Sequence, residues 1–191
     1  GRSFDAVVLA CTAAEAARLA TPHAADWAAT AAAFRYEPIV TVYLRSPGTR
    51  WNQPMVALAA TPDQPAQFAF DLGALDPGGP RDGVFAFVVS GAREWVERGL
   101  EATSSAVIAQ ARRQFAPDTW AKPPTLLRAL AERRATFLCT PGLRRPPARV
   151  AAGLAAAADY VQGPYPATLE GAVRSASSAL ASLGLTATAE P

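Results

Sequence analysis

The sequence is poor in the side chains that build metal sites and hydrolytic triads. Its 191 residues include one histidine, His23, and two cysteines, Cys11 and Cys139, with no Cys-x-x-Cys pair. Zinc sites are built mostly from Cys and His at short spacings, and a Ser-His-Asp arrangement needs a histidine. We therefore expect no metal site, and no catalytic role for His23, which lies in an alanine-rich segment. Both cysteines end apolar runs and are typical of small buried side chains in a reducing compartment.

Long apolar runs and clustered charge are also missing. No apolar stretch approaches the ~20 residues of a membrane span, and the start of the chain lacks the charged and apolar regions of a secretory signal. The 18 basic residues, 17 of them Arg, nearly balance 16 acidic ones and are scattered along the chain. This pattern predicts a cytoplasmic protein that does not bind nucleic acid.

The stretch 155–183 predicts a strand, a loop and a helix. An apolar run ends at Asp159, the loop contains Gly163, Pro164 and Pro166, and a helix follows Thr168 as its N-cap. Seven apolar residues repeat with the helical period and predict the buried face. They are Leu169, Ala172, Val173, Ala176, Ala179, Leu180 and Leu183.

Asp159 and the start of this helix predict a binding site for a nucleotide-type cofactor. The free N–H groups of a helix start favour negative charge or a carbonyl oxygen, and a carboxylate accepts hydrogen bonds from sugar-type hydroxyls. The same arrangement also occurs in α/β proteins that bind nothing there. Both interpretations remain open from the residue types alone.

The remaining pattern indicates an α+β chain. Apolar residues 4–10 predict a buried strand, and a capping box at Thr12 and Glu15 predicts a helix after it. Thr21 with Pro22 predicts a second helix start. Short turns separate four further predicted strands, at 39–44, 55–60, 67–72 and 84–90, and this spacing predicts an antiparallel meander. A helix at 104–115, with Gln110 on its outer face, and a strand at 135–139 are predicted to follow. Six side chains of these strands could line an apolar tunnel or simply form core: Tyr43, Met55, Phe68, Phe70, Phe85 and Phe87.

The string ADYVQGPYPATLEGAVRS, residues 158–175, resembles the C-terminal flavin-binding signature of the FAD-dependent amine oxidase and phytoene desaturase superfamily. It is most similar to the squalene-associated branch, the hydroxysqualene dehydroxylases. Two positions depart from the signature, because Ala158 and Ala176 stand where the family usually has glycine. A methyl group at either position could crowd a close backbone approach.

The resemblance implies FAD as cofactor and a set of binding residues. Asp159 is expected at the ribityl or pyrophosphate region, and the helix start at the flavin ring. The implied cofactor-binding residues are Asp159, Thr168, Leu169, Glu170, Ala172 and Ala10. It also implies that residues 5–10 pair in parallel with 155–159. No catalytic residue is implied, since the flavin carries the chemistry.

The resemblance further implies a division of the chain and its missing partner. Residues 1–34 and 151–191 would belong to the FAD domain and 35–150 to the substrate domain. The chain has no starting Met and no G-x-G-x-x-G unit, so we expect it to be the C-terminal part of a longer enzyme whose N-terminal half binds the dinucleotide. An unpaired strand edge at residues 5–10 would then favour a homodimer.

Three functions remain open at this point. The first is reductive dehydroxylation of hydroxysqualene, a long isoprenoid, by an enzyme in peripheral contact with a membrane. The second is another reaction of the superfamily, carotenoid desaturation or amine oxidation. The third is a catalytically silent binding module, which would describe the isolated chain.

Overall fold

Two compact units make up the chain in a computed structural model that describes residues 3–185. Unit 1 is formed by the residues up to 35 together with those from 137 onward, and unit 2 by residues 36–136. Unit 1 contains strands β1 (Val7–Leu9), β7 (Arg149–Ala151) and β8 (Leu154–Ala156) and helices α1 (Ala13–Ala20), α2 (Ala25–Ala32) and α6 (Leu169–Ser182).

Unit 1 is built on a three-stranded sheet of order β1-β8-β7. Strands β1 and β8 are parallel, with Val7 opposite Leu154 and Leu9 opposite Ala156, while β7 is antiparallel to β8. This confirms the expected parallel pair. Strand β1 lies at the sheet edge, however, where Val7 is 45% and Val8 38% exposed. The expectation that β1 is buried on both faces was therefore wrong, because these two successive side chains point to opposite faces of the sheet and both are partly exposed.

The first two helices of unit 1 begin differently, one with a side-chain cap and one without. Thr12 caps α1 by accepting a hydrogen bond from the Glu15 N–H at 3.4 Å, as expected. Thr21 does not start α2. Its backbone stays helical at the end of α1, and its hydroxyl donates to the Ala17 carbonyl at 2.8 Å. Helix α2 consequently begins only after Ala24, which offers no side-chain cap.

Unit 2 contains a five-stranded sheet of order β3-β4-β5-β2-β6. Its elements are β2 (Tyr36–Arg45), β3 (Met55–Ala57), β4 (Phe68–Asp71), α3 (Leu72–Leu75), β5 (Val84–Val89), α4 (Arg93–Arg98), α5 (Leu100–Gln114) and β6 (Thr125–Phe137). The pairs β3-β4, β4-β5 and β2-β5 are antiparallel. Only β3, β4 and β5 form the expected meander, because β2 lies on the far side of β5.

One face of this sheet forms the core of unit 2. Val40, Val42, Leu44, Phe85 and Phe87 are fully buried there. An aromatic cluster extends this core, and its rings lie between 4.5 and 6.4 Å apart; it contains Trp51, Phe85, Phe87, Phe115 and Trp120. The chain therefore has the predicted α+β fold, with an antiparallel sheet, flanking helices and a small parallel-strand unit.

No helix within residues 3–185 is long and apolar enough to span a lipid bilayer.

Candidate functional site

Helix α6 starts on a cap made by Thr168. The Thr168 hydroxyl accepts a hydrogen bond from the Gly171 N–H at 3.0 Å and donates one to the Tyr165 carbonyl at 2.7 Å. The amides of Leu169 and Glu170 belong to the first turn and have no partner inside the helix. The cap that the sequence predicts is confirmed, and it leaves two N–H groups for a ligand.

Asp159 lies next to this helix start. The Ala167 N–H donates to the Asp159 carbonyl at 3.4 Å, which closes the loop between β8 and α6. The end of β1 joins the same region, because the Ala157 N–H donates to the Leu9 carbonyl at 3.1 Å and Ala10 follows Leu9. The structure therefore groups Asp159 with the cap and places Ala10 at the adjoining strand end.

Ala172 occupies a different position from the other expected binding residues. It is one turn inside α6, and its N–H donates to the Thr168 carbonyl at 3.1 Å. Its amide is therefore used by the helix, and only its methyl group remains for contact with a ligand. Glu170 is exposed and pairs with Arg174 at 2.5 Å, one turn later on the helix.

The carboxyl group of Asp159 is in a partly desolvated position. Burial raises its pKa above the usual range for aspartate, because loss of water disfavours the charged form. The backbone N–H groups of Tyr160 and Asp159 and the charge of Arg145 act in the opposite direction and lower this pKa. Burial has the larger effect.

The apolar stripe predicted for α6 is only partly buried: Ala179 is fully buried, and Ala172, Leu180 and Leu183 are half-buried. Leu169 is 88% and Val173 67% exposed, whereas the buried residues are Gly171, Ser175 and Ala179. The cause lies in the loop: a Cβ at position 171 would overlap the Tyr165 carbonyl oxygen, so Gly171 must face it. The larger side chains consequently turn outward and leave an apolar surface beside the free amides.

The loop before α6 has an unusual backbone. Tyr165 and Ala167 have φ of 56° and 57°, in the left-handed region. This conformation costs a residue other than glycine roughly 1–2 kcal/mol. Strain of this kind concentrates at sites where the surrounding structure fixes the chain for a function.

The sequence-based expectations missed Arg145. Its guanidinium donates to the Val161 carbonyl at 3.0 Å and also to the Gly163 carbonyl, so that one side chain holds the loop at two points. In the sequence it stands out only as one of three Arg-Arg pairs. The carbonyls that it contacts become neighbours only through the fold, so no sequence signal identified it.

Known structures share this fold. The chain matches the PF1083 protein from Pyrococcus furiosus with a TM-score of 0.65 at 15% identity, covering 99% of this chain and 43% of that one. It matches an oxidoreductase from Methanosarcina mazei with a TM-score of 0.62 at 14% identity, covering 90% and 41%. The chain thus spans about two fifths of the length of these proteins. No curated protein sequence matches it significantly.

A family comparison covers most of the chain. The model of the flavin containing amine oxidoreductases matches residues 1–180, which include β1, Asp159 and nearly all of α6. On this match the chain belongs to the flavin-containing amine oxidoreductase family.

Proposed function

We propose that this chain is part of an FAD-dependent oxidoreductase that acts on a long isoprenoid, with reductive dehydroxylation of hydroxysqualene to squalene as its reaction. The flavin follows from the family. The isoprenoid and the dehydroxylation rest on the residue order of 158–175, which resembles the squalene-associated branch.

The residues at the α6 start fit a flavin nucleotide. The hydrogen bond from the Ala167 N–H to the Asp159 backbone carbonyl is the observation that carries this proposal, because it holds residue 159 next to the start of α6, whose first two amides are free. Ala176 is exposed and Ala158 half-buried, so neither methyl group belongs to the fully buried core.

The protein's own residues would bind and orient the cofactor. Asp159 would accept hydrogen bonds from its hydroxyl groups, and the amides of Leu169 and Glu170 would donate to a carbonyl oxygen of the ring. Bound in its reduced form, the flavin would supply a hydride to the allylic carbon, the hydroxyl would leave with a proton as water, and an external hydride donor would be needed to restore the reduced flavin.

The second face of the unit 2 sheet supports an apolar substrate. Met55, Phe70, Ala86 and Tyr43 lie in one row across four strands, since each pair is in register. Met55 is 49% exposed. Of the six candidate tunnel residues, Phe85 and Phe87 belong to the core of unit 2, whereas this face carries Tyr43, Met55, Phe68 and Phe70. Apart from the Tyr43 hydroxyl, these side chains would contact a hydrocarbon chain through apolar atoms.

The remaining parts of the proposal concern the whole enzyme. Residues 1–34 and 151–191 would complete an FAD domain whose dinucleotide-binding half lies N-terminal to this chain, and 35–150 would bind the substrate. Because an isoprenoid is insoluble in water, the enzyme would work on the cytoplasmic side of a membrane surface.

The test is flavin binding and turnover by the enzyme expressed from its full reading frame. We expect the purified protein to show flavin absorption and to convert hydroxysqualene to squalene when reduced, as read by mass spectrometry. Asp159→Ala should weaken FAD binding about tenfold or more, since a hydrogen bond to a charged group contributes about 1.5–3 kcal/mol.

Asp63→Ala provides the matched control, because Asp63 is exposed in a turn of unit 2. It should bind FAD as the unchanged protein does. A protein that stays colourless with added FAD, both unchanged and with Ala158→Gly, would contradict the proposal and favour a silent binding module.

Amine oxidation is the second candidate, and the family description favours it. It predicts that an amine added without oxygen bleaches the oxidised flavin, whereas squalene-type substrates do not. Bleaching by amines together with no squalene formation would decide for this alternative. Desaturation of a carotenoid precursor would instead yield a product with one more double bond.

A further inference from the structure

Arg145 is connected to the candidate flavin site through the loop that presents it. Its two guanidinium nitrogens donate to the Val161 and Gly163 carbonyls. Both carbonyls lie between Asp159 and the cap of α6, so this side chain contacts the part of the loop that follows the carboxylate.

A backbone contact beside Arg145 makes the attachment specific. The Gln162 N–H donates to the Pro146 carbonyl at 2.8 Å. Three hydrogen bonds therefore join residues 145–146 to residues 161–163, two of them charge-assisted and directed by a planar guanidinium. Removing the Arg145 side chain leaves the Gln162 bond in place, so the loop stays attached but loses its fixed orientation.

The loop needs such restraint because its own backbone is strained. Tyr165 and Ala167 are both left-handed, and an unrestrained chain would leave this region readily. Beyond Gly163, the loop contacts Asp159, Thr168, Gly171 and Arg174. The Arg145 side chain and the Gln162–Pro146 hydrogen bond thus connect the loop with the chain segment before β7.

We propose that Arg145 is a positioning residue for the flavin: by holding the Val161 and Gly163 carbonyls it fixes Asp159 and the free amides of α6 in the arrangement that binds the cofactor. The inference rests on the proposed flavin function and assigns Arg145 no contact with the cofactor. Its positive charge also opposes the effect of burial on the Asp159 pKa.

The sequence offers a matched control in Arg144. It has the same charge and lies one residue earlier, but it is exposed and makes no hydrogen bond or ion pair within residues 3–185. The variants Arg145→Gln, Arg145→Lys and Arg144→Gln would be made in the full-length protein. FAD dissociation constants would be read from flavin fluorescence, and hydrogen exchange of residues 159–171 would be followed without FAD.

We expect Arg145→Gln to raise the FAD dissociation constant about tenfold or more and to speed exchange in 159–171, with the exchange of β5 unchanged. For Arg145→Lys, the FAD dissociation constant and the exchange rate should lie between those of Arg145→Gln and the unchanged protein, since one ammonium group cannot hold two carbonyls as a planar guanidinium does. Arg144→Gln should match the unchanged protein in both measurements.

The outcomes separate this inference from the proposed function. Faster loop exchange in Arg145→Gln with unchanged FAD affinity would overturn the positioning role and leave the flavin function standing. If Arg145→Gln does not fold, the lysine variant decides: an FAD affinity equal to that of the unchanged protein overturns the inference. An unchanged protein that binds no FAD overturns the proposed function, and the inference with it.

Discussion

Asp159 gives the site a pH dependence at the scale of one residue. Burial raises its pKa in the folded chain above that of the unfolded chain, so the folded state binds the proton more tightly. The stabilisation from this group is complete below the unfolded pKa and is lost as the pH rises through the folded pKa.

We therefore expect Asp159→Asn to be more stable than the unchanged protein near neutral pH and to lose that advantage in acid. Urea unfolding at pH 7 and at a pH below the usual range of aspartate would measure it. Asp63→Asn is the control and should follow the unchanged protein at both pH values. An advantage of equal size at both would show that the charge of Asp159 is not the cause.

Ala167 carries strain that glycine would remove. Its φ of 57° disfavours an L side chain. Glycine loses more chain entropy on folding, which offsets roughly 0.5–1 kcal/mol of the relief. We expect Ala167→Gly to raise the free energy of unfolding by up to about 1 kcal/mol.

Ala176 supplies the comparison for this substitution, since it is exposed in the middle of helix α6. Ala176→Gly should lower the free energy of unfolding by about 1 kcal/mol, the usual effect of glycine within a helix. Thermal or urea unfolding of both variants would measure the difference. Equal losses in the two variants would refute strain at position 167.

The cap of α6 was predictable from the residues, but the orientation of this helix was not. Thr168 after a Pro-rich loop is a local signal, and local hydrogen bonds make it. The direction of Leu169 and Val173 depends on the Tyr165 carbonyl, which packs where Gly171 has no side chain. Apolar spacing carries no information about such a carbonyl, so the periodic pattern predicted the burial of Ala179 correctly and that of Leu169 and Val173 wrongly.

At the scale of elements, helix α5 holds a neighbouring loop with two glutamines. Gln110 is fully buried, and its amide group binds both the N–H and the carbonyl of Ala66 at 2.9 Å. Gln114 binds both backbone groups of Ala59 in the same way, at 3.1 and 2.6 Å, from a partly exposed position. The sequence predicted Gln110 on the outer face, because a buried amide is recognisable only once its backbone partner is known.

Replacing each glutamine with methionine should lower the free energy of unfolding by different amounts. Gln110→Met leaves the buried Ala66 groups unpaired, and each unsatisfied group costs about 1–3 kcal/mol. Gln114→Met should cost less, since water can reach the Ala59 groups. Urea unfolding measures both. If both variants lost the same free energy of unfolding, burial of the Gln110 hydrogen bonds would not be what makes them matter for stability.

Contacts between distant elements explain the rest of what the sequence did not show. Trp51 and Trp120 are far apart in the chain and form no sequence motif, yet their rings lie 5.7 Å apart in one cluster. The parallel pairing of β1 with β8 joins residues still farther apart in the sequence, and it was predictable only because the resemblance supplied it. Most single strands were predicted near their observed positions, but β7 was not predicted, and β6 runs from Thr125 to Phe137 rather than over 135–139. Within the five-stranded sheet, the strand order was predicted correctly only for β3, β4 and β5.

At the scale of the whole molecule, the open edge of β1 determines how the chain behaves alone. Strand β1 has β8 on one side and, within residues 3–185, no strand on the other. Its side chains Val7 and Val8 are partly exposed as well. An apolar edge with unpaired N–H and carbonyl groups is a template for another strand, so we expect the 191-residue chain to form a homodimer through β1.

Light scattering across a range of concentrations tests this association. Val7→Lys should shift the chain to monomer, because a charge on an edge strand opposes pairing with a second copy. Leu75→Lys is the matched control: Leu75 is 58% exposed outside the strands, and its replacement should leave the dimer intact. A chain that is monomeric at every concentration would contradict the prediction. If a longer parent protein is monomeric while this chain dimerises, we expect its additional residues to cover the same edge, as the proposed FAD domain requires.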